Sequence, residues 1–93
     1  MTIGLLQIDF LVPGARSLKD KRRAMSSLKT LLRNRYNCSV AETGFAEKWS
    51  RARLAICVVS NTSSHVSEQL NEIVRFASNH HAAQMTDYQI ETF

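Results

Sequence analysis

Between Arg16 and Arg35 the chain carries Arg16, Lys19, Lys21, Arg22, Arg23, Lys29, Arg33 and Arg35 against a single acid, Asp20. Eight bases less one acid give this stretch a charge of +7, while the whole chain is only +4, so the remainder sums to −3. Clustered ammonium and guanidinium groups attract phosphate, nucleic acid, acidic protein or an anionic surface. Arg16, Lys19, Arg22, Arg23, Lys29 and Arg33 are therefore the candidate anion- or RNA-binding residues. At about 100° per residue, the last five share one sector of a helix, with Ser26 and Thr30 filling the gaps. Cations neutralise phosphates, and small hydroxyl residues add hydrogen bonds to the nucleic-acid backbone. The competing reading is a solvated helix face; such faces normally mix both signs, and this one does not.

Other residue groups suggest narrower chemistry. In the loop Gly14-Ala15-Arg16-Ser17, the first amides of the following helix and its dipole favour an anion, with Arg16 and Lys19 closing over it. Alternatively, Ser17 and Asp20 satisfy the same amides as caps. Phe45 and Trp49, at i and i+4, form a candidate partner-binding pair if one short helical turn presents both rings. His65, His80 and His81 do not read as a metal site: adjacent histidines at a helix end diverge, and no Cys or acid stands at ligand spacing. No metal or other cofactor is expected. No Ser-His-Asp arrangement, paired carboxylates or phosphate-cradling loop is present, so the expectation is a protein without a reaction of its own. An acylphosphatase-like enzyme would need Gly14, Arg16 and Asn61 to converge. Cys38 and Cys57 lie in apolar stretches and read as reduced, buried thiols.

These residues need elements to hold them. With 93 residues, 44% hydrophobic and 22% charged, the chain reads as one small globular domain spanning residues 1–93. The longest uncharged apolar run, Leu54 to Ser60, is too short to cross a bilayer, so no membrane partner is expected. The first residues, Met1-Thr2-Ile3-Gly4, lack a basic n-region and a cleavage site. Alternation of Leu6, Ile8, Phe10 and Val12 with Leu5, Gln7, Asp9 and Leu11 predicts a strand over Ile3–Val12, ended by Pro13-Gly14. Ser17 then opens a helix whose stripe is Leu18, Met25, Leu28 and Leu32, reaching Tyr36-Asn37. Cys38–Thr43 is a short strand. Arg53–Ser60, apolar on both sides, is a central one. The caps Asn61-Thr62-Ser63-Ser64 precede a helix with Val66, Leu70, Ile73, Val74 and Ala77 on one face, running to about Asn79. A last strand covers Met85–Phe93.

The order βαββαβ predicts an α+β, ferredoxin-like sandwich: a four-stranded antiparallel sheet with two helices on one face. Its expected core is Leu6, Ile8, Phe10, Leu28, Leu32, Val66, Leu70, Ile73 and Ile90. The open face would carry Leu5, Leu11 and one apolar row of the third strand, which predicts a homo-oligomer, most simply a dimer. Base stacking on that sheet is disfavoured, because the two central strands offer only Phe10, on the core side.

The run Pro13-Gly14-Ala15-Arg16-Ser17-Leu18-Lys19-Asp20-Lys21-Arg22-Arg23 resembles the signature of the YlxP-like family, small bacterial proteins of unassigned function. Asn37-Cys38-Ser39-Val40-Ala41-Glu42, Trp49-Ser50-Arg51-Ala52 and Val58-Val59-Ser60 fit the same pattern, so the similarity covers nearly the whole chain. The resemblance implies a ferredoxin-like fold and a cytoplasmic protein, and brings no catalytic residues. The family's gene lies in many bacteria among genes for translation initiation and ribosome maturation, which implies RNA or the ribosome as partner. The alternative partner for the basic helix is an acidic protein.

Overall fold

The computed structural model describes residues 1–93. In chain order the elements are β1 (Thr2–Leu11), α1 (Leu18–Arg35), β2 (Ser39–Gly44), β3 (Arg51–Ser60), α2 (Ser63–Ser78) and β4 (Gln84–Thr92). The strands form one sheet in the order β2-β3-β1-β4, antiparallel at every step. This is the expected ferredoxin-like sandwich. Alternation decides which residues of the two long central strands face the helices. Leu6, Ile8 and Phe10 of β1 and Ala52, Leu54, Ile56 and Val58 of β3 are buried there with Met25, Leu28 and Leu32 of α1 and Val66, Leu70, Ile73 and Ala77 of α2.

Gly4 sets how closely α2 lies on β1. A Cβ on Gly4 would stand 2.5 Å from Val66 Cγ1 and 2.7 Å from Leu70 Cδ1, so only glycine admits the helix at this height. At the start of α2 the group of polar residues does less than expected. Thr62 is the N-cap but makes no side-chain cap bond, and its own N–H donates to Ser60 Oγ at 3.4 Å.

One predicted core residue lies outside the core. Ile90 pairs with Leu6, and Tyr88 with Ile8, so both face the helix side. They are nevertheless 39% and 47% exposed. β4 is an edge strand and α2 seats mainly on β1 and β3, leaving the outer row uncovered. The cysteines also differ from expectation. Both are free, but each is only partly buried. Cys38 sits beneath the end of α1, where burial raises its thiol pKa against the opposing charge of Arg33. Cys57 lies on the open face, in register with Leu5 and Ser39. No helix is long and apolar enough to cross a membrane.

Candidate functional site

Helix α1 is oriented by Lys21, Met25, Leu28 and Leu32, which are buried against the sheet at spacings of four, three and four residues. Leu18, predicted in the stripe, is only half-buried at its margin. Seating those four residues turns Arg22, Lys29 and Arg33 toward the β2 edge and Lys19, Arg23, Ser26 and Thr30 away from the sheet. The structure thus brings the predicted cations together on one surface. Arg16, Lys19, Arg22, Arg23 and Arg33 are exposed and Lys29 is half-buried along its stem. None of the six is in an ion pair; the molecule's two ion pairs, Lys21 with Glu42 and Arg53 with Asp9, lie elsewhere. Arg33 has one further role: its Nη2 donates to Val40 O at 2.9 Å, clasping the edge strand β2.

Lys21 is absent from that surface. It is 1% exposed, and its ammonium donates to Phe45 O at 2.7 Å and Arg51 O at 3.2 Å while pairing with Glu42 Oε2 at 3.1 Å. An ammonium has three N–H groups, and three acceptors meet them here. One of the eight charges counted in the sequence is thereby neutralised inside the fold. The sequence held a signal for this: Lys21 stands three residues after Leu18 and four before Met25, on the apolar stripe itself.

The loop before α1 is not an anion cradle. Ser17, with extended backbone, accepts the Asp20 N–H at 3.1 Å, and Asp20 Oδ2 accepts the Arg16 N–H at 3.0 Å. The capping reading holds, and a carboxylate already occupies the place an anion would take. Arg16 and Lys19 add charge at this end of α1 without enclosing a site.

Phe45 and Trp49 do not form the expected pair. The segment from Phe45 to Ser50 makes turns rather than a helical turn, and Phe45 adopts a left-handed backbone with φ 59°. Its ring lies against the guanidinium groups of Arg51, at 4.3 Å, and Arg53, at 5.0 Å. Trp49 is outside this stack and 51% exposed. Arg53 in turn grips Asp9 with two bonds, of 2.7 and 3.1 Å. That pairing holds the Asp9 carboxyl below its ordinary pKa against the desolvation that opposes it, and raises that of Arg53.

The acylphosphatase arrangement is not assembled. Asn61 follows Ser60, which pairs with Thr2 at one end of β1, while Gly14 and Arg16 follow the other end. The histidines behave otherwise than expected too. His80 and His81 do not diverge; their rings stack with centroids 4.8 Å apart and planes 25° apart. No group of three or more His, Cys, Asp or Glu residues is placed to hold a metal ion.

Sequence reasoning passed over one more cluster. Tyr36 and Phe76, forty residues apart, meet edge to face at 6.1 Å between the helices, and Arg35 lies 5.0 Å from the Phe76 ring centre. In the sequence Arg35 is one charge among eight and Tyr36 marks the end of a helix; nothing local signals a partner on α2.

Among solved structures, a de novo designed protein, Ferredog-Diesel, is 14% identical, with a TM-score of 0.49 over 98% of this chain and 84% of that one. A putative antibiotic biosynthesis monooxygenase from Bordetella bronchiseptica is 15% identical, with a TM-score of 0.49 over 100% of this chain and 96% of its own. Neither likeness bears on chemistry. In sequence, the chain is 26% identical over 91 residues to the "Uncharacterized protein YlxP" of Bacillus subtilis (strain 168), covering 98% of this chain and 99% of that protein. The model of the family described as "Protein of unknown function (DUF503)" matches residues 3–90. The chain belongs to the DUF503 family.

Proposed function

We propose that this chain is a cytoplasmic, non-catalytic module that binds RNA, free or within the ribosome, through the exposed basic sector of α1. The observation that carries this reading is that Arg16, Lys19, Arg22, Arg23, Lys29 and Arg33 form one surface with no acid paired to any of them. A helix face kept only for solubility would mix signs and pair them. Ser26, Ser27 and Thr30 are exposed among the cations and supply hydroxyls for phosphate and sugar contacts. The sheet is not the nucleic-acid surface in this reading, because Phe10 is buried and β3 has no aromatic residue.

The test is a titration of a fluorescently labelled ribosomal RNA fragment, read by anisotropy in low salt. The wild-type protein is expected to bind, and Arg22→Glu, Arg23→Glu and Lys29→Glu together to weaken binding at least a hundredfold. Glu68→Lys on α2 serves as the control and leaves binding intact. Unchanged affinity of the triple variant would defeat the reading.

Self-association through the open sheet face is the second part of the proposal. Val59 is 55% and Phe93 67% exposed at one end of that face, beside Ile3 and Leu5. Apolar rows of this kind are commonly covered by a second copy. A strict monomer by light scattering at high micromolar concentration would remove the dimer without touching the RNA reading.

A further inference from the structure

The flank of α1 that faces α2 carries a separate concentration of chemistry. A cleft of about 590 Å³ opens there, lined among others by Arg35 of α1, its C-cap Tyr36, Glu72, Arg75 and Phe76 of α2, and His80 beyond the end of α2. This volume lies within the range of about 300–1,000 Å³ common for small-molecule sites.

The groups in it are preset and free. The Arg35 guanidinium lies 5.0 Å from the centre of the Phe76 ring and 5.9 Å from that of Tyr36, which confines its plane. The side chains of Arg35 and Arg75 make no hydrogen bond or ion pair within the protein, so the five N–H groups of each remain available. His80 closes one wall of the cleft. The Ala82 N–H donates to its Nδ1 at 3.2 Å, which places the ring proton of the neutral imidazole on Nε2. That Nε2 is buried and has no partner. Burial, and next the neighbouring charge of His81, lower the His80 pKa and so favour this neutral form.

We propose that this cleft binds a nucleotide, with its phosphate on Arg35 and Arg75 and its base against the Tyr36–Phe76–Arg35 platform. Two guanidinium groups suit a phosphate through paired N–H bonds. Aromatic faces and guanidinium planes are the surfaces on which unstacked bases lie. Glu72, the acid at the wall, accepts from an exocyclic amine or a ribose hydroxyl, which bare phosphate lacks. The site is distinct from the outward basic sector of α1, so each can fail without the other.

The experiment is a titration of the isotope-labelled protein followed by amide chemical shifts, using four probes: adenosine 5′-monophosphate, adenosine, inorganic phosphate and a short single-stranded oligoadenylate. Shifts are expected at Arg35, Tyr36, Phe76, His80 and His81. Arg35→Glu with Arg75→Glu, both exposed positions, should lower affinity at least tenfold. Phe76→Leu, which keeps the packing but loses the ring, should lower it several-fold. The Arg22→Glu, Arg23→Glu, Lys29→Glu protein should retain these shifts with the monophosphate. Saturation by the free monophosphate assigns a free nucleotide as ligand; saturation by the oligonucleotide alone assigns a nucleotide held within an RNA strand. Equal binding of inorganic phosphate, or no shift at these residues with any probe at millimolar concentration, overturns the proposal.

Discussion

The ammonium of Lys21 donates at 2.7 Å to the carbonyl of Phe45, the one non-glycine residue of the chain with a positive φ. The same carbonyl accepts the Lys48 N–H at 3.0 Å, so two donors fix the peptide that carries the left-handed turn. A left-handed conformation disfavours a bulky residue by about 1–2 kcal/mol, and it persists where the surroundings impose it. Through Lys21 the basic helix is thereby bolted to the β2–β3 connection, and Glu42 balances the buried charge.

Removing that bolt leaves Glu42 without its partner and takes a donor from each of two carbonyls. Lys21→Met should therefore destabilise the fold by about 2–4 kcal/mol in chemical denaturation. Lys19→Met, two residues away on the exposed face, should shift it by less than about 0.5 kcal/mol. Equal midpoints for the two variants would show that Lys21 is only another surface cation.

The contact of Gly4 with α2 makes a second prediction. Gly4→Ala drives a methyl into Val66 and Leu70 and should destabilise by about 1–3 kcal/mol, read by thermal melting. Gly14→Ala meets nothing within 4 Å and should leave stability within about 0.5 kcal/mol of wild type.

The Asp9–Arg53 pair predicts a pH dependence. Its hydrogen bonds to Arg53 hold the Asp9 carboxyl below the ordinary value of 3.8. A carboxyl whose pKa is lower folded than unfolded contributes stability that is fully present above the unfolded value and is lost as pH falls through the folded one. Wild type should therefore be more stable than Asp9→Asn at pH 7, with the difference shrinking as pH falls below about 4. Paired denaturation curves at pH 7 and pH 3 check this; a difference that does not change with pH would contradict it.

How much of this was legible in the sequence depends on how local each signal is. Leu6, Ile8 and Phe10, and Leu28 and Leu32, were assigned to the core from period alone, because alternation and helical spacing are properties of adjacent residues. The basic sector followed from the same arithmetic. Ile90 failed because period identifies a side of the sheet but not how far the helices extend across it. Phe45 and Trp49 fit helical spacing, yet the carbonyl of Phe45 is held in a turn by Lys21, 24 residues away. Tyr36 and Phe76 meet only because two antiparallel helices stand at a particular offset, which no local pattern encodes. The burial of Lys21, by contrast, is encoded locally, since its spacing from Leu18 and Met25 puts it on the apolar stripe.

If the cations of α1 contact phosphates individually, the salt dependence of RNA affinity registers each of them. Log affinity measured against log salt concentration should fall linearly, with a slope set by the number of phosphates neutralised. Arg22→Ala, Arg23→Ala and Lys29→Ala, made singly, should each reduce that slope by roughly one unit while melting temperatures stay nearly constant. Arg33 is left intact because it also holds Val40 O. Slopes identical to wild type in all three variants, with RNA still bound, would show that α1 is a solvated surface and that the RNA lies elsewhere.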